Sequence, residues 1–82
     1  MPYIKETDRW HLEDGGLAMT AGELNYQITT VIMEYLIGQG TTSYKSINDI
    51  LGALEGAKLE FYRRIVVPYE QEKIEENGDV YE

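Results

Sequence analysis

Arg63 and Arg64 stand side by side, with Tyr62 just before them and Tyr69 five residues further on. No other stretch of the chain sets two adjacent cations among so many rings. Guanidinium groups grip phosphate oxygens two at a time, and phenol rings stack on bases. Those are the residue types of a site for a small anionic nucleotide. Lys58 supplies a third cation and Tyr26 a further ring, so the expected ligand set is Tyr26, Lys58, Tyr62, Arg63, Arg64 and Tyr69. The same side chains have plainer uses. The arginine pair can bridge to Glu60 or to the acidic end of the chain, and cations are favoured near a helix C-terminus. Lys58 can snorkel to water or pair with Glu34 or Glu55. Both uses stay open at this level.

Other chemistries lack their residues. There is no cysteine, which removes disulfides and thiolate metal sites, and a single histidine, His11, removes any multi-histidine metal cluster. No nucleophile elbow, phosphate-cradling glycine loop or paired-histidine motif occurs. A non-enzymatic protein without cofactor or metal is expected, with His11 a surface or packing residue rather than a base.

The net charge is −8, which disfavours direct contact with nucleic acid or anionic lipid. It is unevenly spread: residues 70–82 hold six carboxylates against Lys73, a net −5. That segment is either a solvated end or a phosphate-backbone mimic, with Glu70, Glu72, Glu75 and Glu76 occupying a basic groove on another protein. No apolar run is long enough to span a bilayer, and residues 1–10 carry no signal-peptide core. A cytoplasmic protein without membrane contact is expected.

The elements that must position these residues read as helices. Residues 1–4 form an extended apolar strap, and Lys5 to Asp14 a short helix capped by Thr7, anchored by Trp10 and broken by Gly15-Gly16. Thr20 and Glu23 have the spacing of a capping box. The helix behind them runs to Ile37, with Gly38 closing it, and its core stripe is Ala21, Leu24, Ile28, Val31, Ile32 and Tyr35. After a short turn, a second helix starts near Ser43 or Ser46. Its stripe holds Ile47, Ile50, Leu51, Leu54, Ala57, Phe61 and Ile65, with Tyr62 at the margin and Lys58 inside. Val67-Pro68 predicts a kink, or a stop and a new helix ended by Asn77-Gly78. Val80 and Tyr81 read as apolar anchors.

Both central helices carry a second sticky side. On the first, Tyr26, Met33 and Ile37 line up away from the core stripe. On the second, Gly52 and Gly56 lie near Leu59 and Arg63. Each interior glycine costs a helix roughly 1 kcal/mol against alanine, so close approach by a ligand or a second copy is expected there. Gly52, Gly56, Leu59, Met33 and Ile37 are the expected oligomer interface. A chain of 82 residues buries only a little over half of its unfolded surface on folding, and self-association supplies what a small core lacks.

The blocks Met1-Pro2-Tyr3-Ile4, Gly22-Glu23-Leu24-Asn25-Tyr26, Ile47-Asn48, Ala57-Lys58-Leu59-Glu60-Phe61-Tyr62-Arg63-Arg64, Pro68-Tyr69-Glu70 and Asn77-Gly78-Asp79-Val80-Tyr81 resemble a family of short proteins of tailed phages and prophages. That resemblance covers nearly the whole chain and brings no activity with it. Leu54-Glu55-Gly56-Ala57-Lys58-Leu59 is faintly similar to the helical hairpin of oligomeric phage sponges, which sequester the nucleotide signals of bacterial immunity. The similarity implies a hairpin and a nucleotide ligand, and transfers no binding residue.

The expectation is therefore an all-α chain, a single helical domain over residues 1–82. Residues 1–19 are an N-terminal strap and short helix, 20–67 an antiparallel hairpin, and 68–82 an acidic C-terminal segment. The expected function is an anti-defence sponge working as a homo-oligomer. Its alternatives are an acidic inhibitor that blocks a host defence protein and a small structural or assembly protein of a phage.

Overall fold

The computed structural model describes residues 3–81, and among them there are helices and no strand. The elements are α1 (Glu6–Glu13), α2 (Ala21–Gly38), α3 (Tyr44–Phe61), a π-helical turn (Tyr62–Val66) and α4 (Val67–Asn77). The chain divides into two units, Met1–Ser46 and Ile47–Glu82. No helix among the described residues is long and apolar enough to cross a membrane. The expected strap begins with Met1 and Pro2, which lie outside the described residues; Ile4 packs against Gly22.

The first unit is built by local chemistry. Lys5 caps α1 without a side-chain bond, and Thr7 lies inside the helix; the acidic Glu6 and Asp8 in the first turn suit the positive end of the helix dipole instead. Trp10, the expected anchor, is exposed. Leu12 takes that role at 8% exposure, the one buried apolar side chain among the described residues. It lies where α1 packs on α2. Burying it contributes about 2 kcal/mol.

At the start of α2 the threonine of the expected capping box accepts from the Glu23 amide at 3.1 Å. Glu23 reaches one residue further back than expected, its carboxylate accepting from the Met19 amide at 3.0 Å. The helix includes Gly38, its C-cap is Gln39, and the left-handed backbone falls at Gly40 (φ +82°). Ser43 and Ser46 then cap α3 reciprocally: the Ser46 amide donates to Ser43 Oγ at 3.2 Å and the Ser43 amide to Ser46 Oγ at 3.0 Å. That arrangement explains how a serine comes to be 1% exposed.

The face of α2 that α1 covers is the Tyr26 side. The Tyr26 hydroxyl donates to Glu13 at 3.0 Å and Gln27 Nε2 to the Gly16 carbonyl at 3.5 Å. Leu24, Ile28, Val31 and Tyr35, expected as core, are exposed instead. Periodicity found the stripe; it could not say that α1 settles on the other face.

The second unit runs as helix from Ile47 to Asn77. Pro68 has no amide to donate to the Arg64 carbonyl, and the chain responds by widening one turn rather than stopping. The Val67 amide donates to the Tyr62 carbonyl, five residues back. Val67 itself, expected to be pushed out of the helical region, keeps φ −60° and ψ −50°. Pro68 is the second residue of α4 rather than the first, and Gly78 closes the helix, as expected, at φ +87° while its amide donates to the Ile74 carbonyl. Val80 and Tyr81 anchor nothing, being almost fully exposed; the Tyr81 amide is held by Asp79 at 2.8 Å. No side chain of residues 47–81 is buried, and only Asp49, Ile50, Val66 and Ile74 are half-buried.

Candidate anion-binding site

The π-helical turn carries Tyr62, Arg63 and Arg64. A π turn offsets the side-chain register by about one residue, and such turns recur at functional sites. Both arginines reach back to one carboxylate: Arg64 Nε lies 2.6 Å from Glu60 Oε1, and Arg63 Nη1 3.5 Å from Glu60 Oε2. One negative charge thus faces two guanidiniums. The two side chains are 71% and 75% exposed, so each ion pair is worth roughly a few tenths of a kcal/mol, little enough for a phosphate to displace.

One tyrosine opens this turn and another follows it on α4. The Tyr62 hydroxyl donates to Glu70 at 3.5 Å, tying the turn to α4. Tyr69 is exposed, and Lys73 Nζ sits 5.5 Å from its ring centre while bonding Glu76 at 3.2 Å. Lys73 thus covers one face of that ring, and a flat or charged guest there would have to displace it. Lys58 takes Glu55 as its partner at 3.4 Å, and its side chain is 72% exposed. Five of the six expected ligand residues therefore lie in the second unit, on one stretch of helix.

Tyr26 belongs to the first unit. It lines an open cleft of about 450 Å³ with Leu12, Glu13, Gln27, Thr30, Val31 and Glu34. Sequence reading missed this cleft, because nothing short of the α1–α2 packing brings Leu12 and Glu13 to Tyr26. Glu70 was missed as a partner of Tyr62 for a related reason: a separation of eight residues is a helical contact only when a wider turn lies between.

The expected interface residues are exposed: Met33, Ile37 and Leu59 all present their side chains, and nothing lies within 4 Å of where a methyl group would stand on Gly52 or Gly56. Among the described residues no three histidine, aspartate or glutamate side chains converge as metal ligands would.

A family model described as a domain of unknown function, DUF6899, matches residues 1–80. The chain belongs to that family. No curated protein and no solved structure matches it. Within this DUF6899 chain the π turn carries the one pair of adjacent cations among the described residues.

Proposed function

We propose that this is a non-enzymatic phage accessory protein that acts by binding an anionic, phosphate-bearing ligand at Arg63 and Arg64. In its most specific form it is an anti-defence sponge, sequestering a nucleotide immune signal of the cyclic oligonucleotide or cyclic ADP-ribose type at a subunit junction. The observation that carries the reading is the excess of charge on the π turn: two exposed guanidiniums against one carboxylate, with Tyr62 and Tyr69 at its margins. The phage origin and the immune signal rest on the resemblance.

The finer form of the fold belongs to the same reading. It is an oligomer of antiparallel hairpins, residues 20–38 against 44–67, with an N-terminal strap and an acidic C-terminal helix. Exposed stripes on both α2 and α3 support it, since each needs a cover.

Titration calorimetry against cyclic dinucleotides, cyclic trinucleotides and cyclic ADP-ribose isomers tests the ligand. Heat is expected with one class and its loss in Arg63→Ala/Arg64→Ala, with helix content unchanged by circular dichroism. Silence across the whole panel ends this reading.

The acidic inhibitor is favoured by one observation: Glu70, Glu72, Glu75 and Glu76 are all exposed on α4, with Lys73 the sole cation among them. On that reading, deleting residues 70–82 abolishes activity in infected cells, whereas a sponge that needs only the π turn survives it.

A further inference from the structure

The apolar residues of α3 form two rows. Ile47, Ile50, Leu54, Ala57 and Phe61 follow at steps of three, four, three and four, the spacing of a coiled-coil seam. Leu51 and Lys58, seven residues apart, lie beside them, and Ile65 follows seven residues on, within the π turn that shifts its register. A single partner helix would suffice to cover the first row. The second lies outside that seam, and Leu51 and Ile65 are 59% and 57% exposed. A stripe of that width needs another neighbour.

Charge says what the neighbour is and which way it runs. The second row contains its own ion pair, Lys58 with Glu55 at 3.4 Å, and both side chains are more than half exposed. Two copies of the row laid parallel set Lys58 beside Lys58 and bring the net −5 segments of residues 70–82 together. Laid antiparallel about the midpoint between Gly56 and Ala57, they set Lys58 of each copy opposite Glu55 of the other, and Leu51 opposite Tyr62. The acidic segments then leave at opposite ends.

We infer that α3 pairs antiparallel with α3 of a second copy along this row, closed by two reciprocal Lys58–Glu55 bridges. This deepens the reading of the chain as a homo-oligomer by naming face and direction. It leaves Arg63 and Arg64 beyond the bridges, one pair towards each end of the contact. The Gly52–Gly56 side faces away.

The chain has no cysteine, so one label reads the geometry. In Glu72→Cys carrying a nitroxide, the antiparallel pair sets the two labels about 45 Å apart along the helix, and a parallel pair under about 20 Å. Light scattering on the unlabelled full chain gives the mass. A dimer with the long distance is expected; a monomer at tens of micromolar, or the short distance, overturns the proposal. Leu51→Asp raises the dissociation constant about a hundredfold, whereas Leu59→Asp on the glycine side leaves it unchanged. The reverse ranking also overturns it. Lys58→Glu weakens pairing at least tenfold and Lys58→Glu/Glu55→Lys restores it; failure of that rescue removes the bridges. Because the distance is read with the whole apolar row intact, it decides even where Leu51→Asp loses helix as well. A dimer of this geometry that binds no nucleotide refutes the ligand and not the pairing, and a monomer that binds one does the opposite.

Discussion

The two units of this chain solve the same problem in opposite ways. In residues 3–46 the starts of α2 and α3 have side-chain partners close in sequence, Thr20 and Glu23 at one and Ser43 and Ser46 at the other, with Leu12 sealed where α1 meets α2. In residues 47–81 the helix satisfies its own backbone and covers almost nothing. A helix in water with an uncovered apolar stripe draws little stability from propensity alone. The first unit has one sealed contact of its own, though its α2 stripe is uncovered; the second has none. What binds, on this reading, is the half that is least self-sufficient.

The sharpest way to break the comparison is dilution. Amide hydrogen exchange of α3 and α4 is expected to quicken by about a hundredfold or more as the protein is diluted through its dissociation constant. Exchange in α1 and the first turns of α2 should hold steady. If both units respond alike, the division into a supported half and a dependent half is wrong.

Next in size is the one buried apolar side chain. Leu12→Ala should cost about 2–4 kcal/mol in urea unfolding followed by circular dichroism, because Leu12 is the one buried apolar side chain of the α1–α2 contact among the described residues. Phe61→Ala removes a larger side chain from an exposed position, and should leave the unfolding of a monomeric sample within about 0.5 kcal/mol of the parent.

How much of this was legible beforehand follows the range of the interactions. Thr20 and Glu23 were found from sequence because a cap is fixed by a spacing of three residues, and only the last step, Glu23 to Met19 rather than Thr20, departed. Tyr62, Arg63, Arg64 and Tyr69 are close along the helix simply because they are close in sequence. Leu12 was passed over for Trp10 because size is a poor guide to which side of a short helix meets its neighbour. The expected α2 stripe failed as a core for the reason that moved Tyr26 beside Glu13: which face is covered depends on where α1 returns, a fact no window of α2 contains. The π turn was beyond reach in another way. A proline signals a disturbed hydrogen bond, but a kink, a stop and a widened turn all relieve it, and they differ by contacts on both sides.

The cap gives a smaller effect. Thr20→Ala strands the Glu23 amide, and thermal unfolding should register a loss of about 1 kcal/mol. The loss belongs to the first unit alone, so the concentration dependence of α3 exchange should be unaltered. A shift there would couple the units through the cap.

The smallest change asks which side of the second unit is in use. Gly52 has ordinary helical backbone and nothing within 4 Å of where a methyl group would go. If that side faces water in the working assembly, Gly52→Ala only lowers the entropy of the unfolded chain and the exposure of helix backbone. It should then stabilise the helix by about 0.8–1 kcal/mol, read as a higher melting temperature at fixed concentration. If a second copy or a ligand approaches the backbone there instead, as the two glycines taken alone suggest, the methyl group stands in its way and the sign reverses. Pairing along Leu51, Lys58 and Ile65 requires the gain. A lower melting temperature, with weaker association, would hand the interface to Gly52, Gly56 and Leu59, and the dependent half of the molecule would lean on its opposite side.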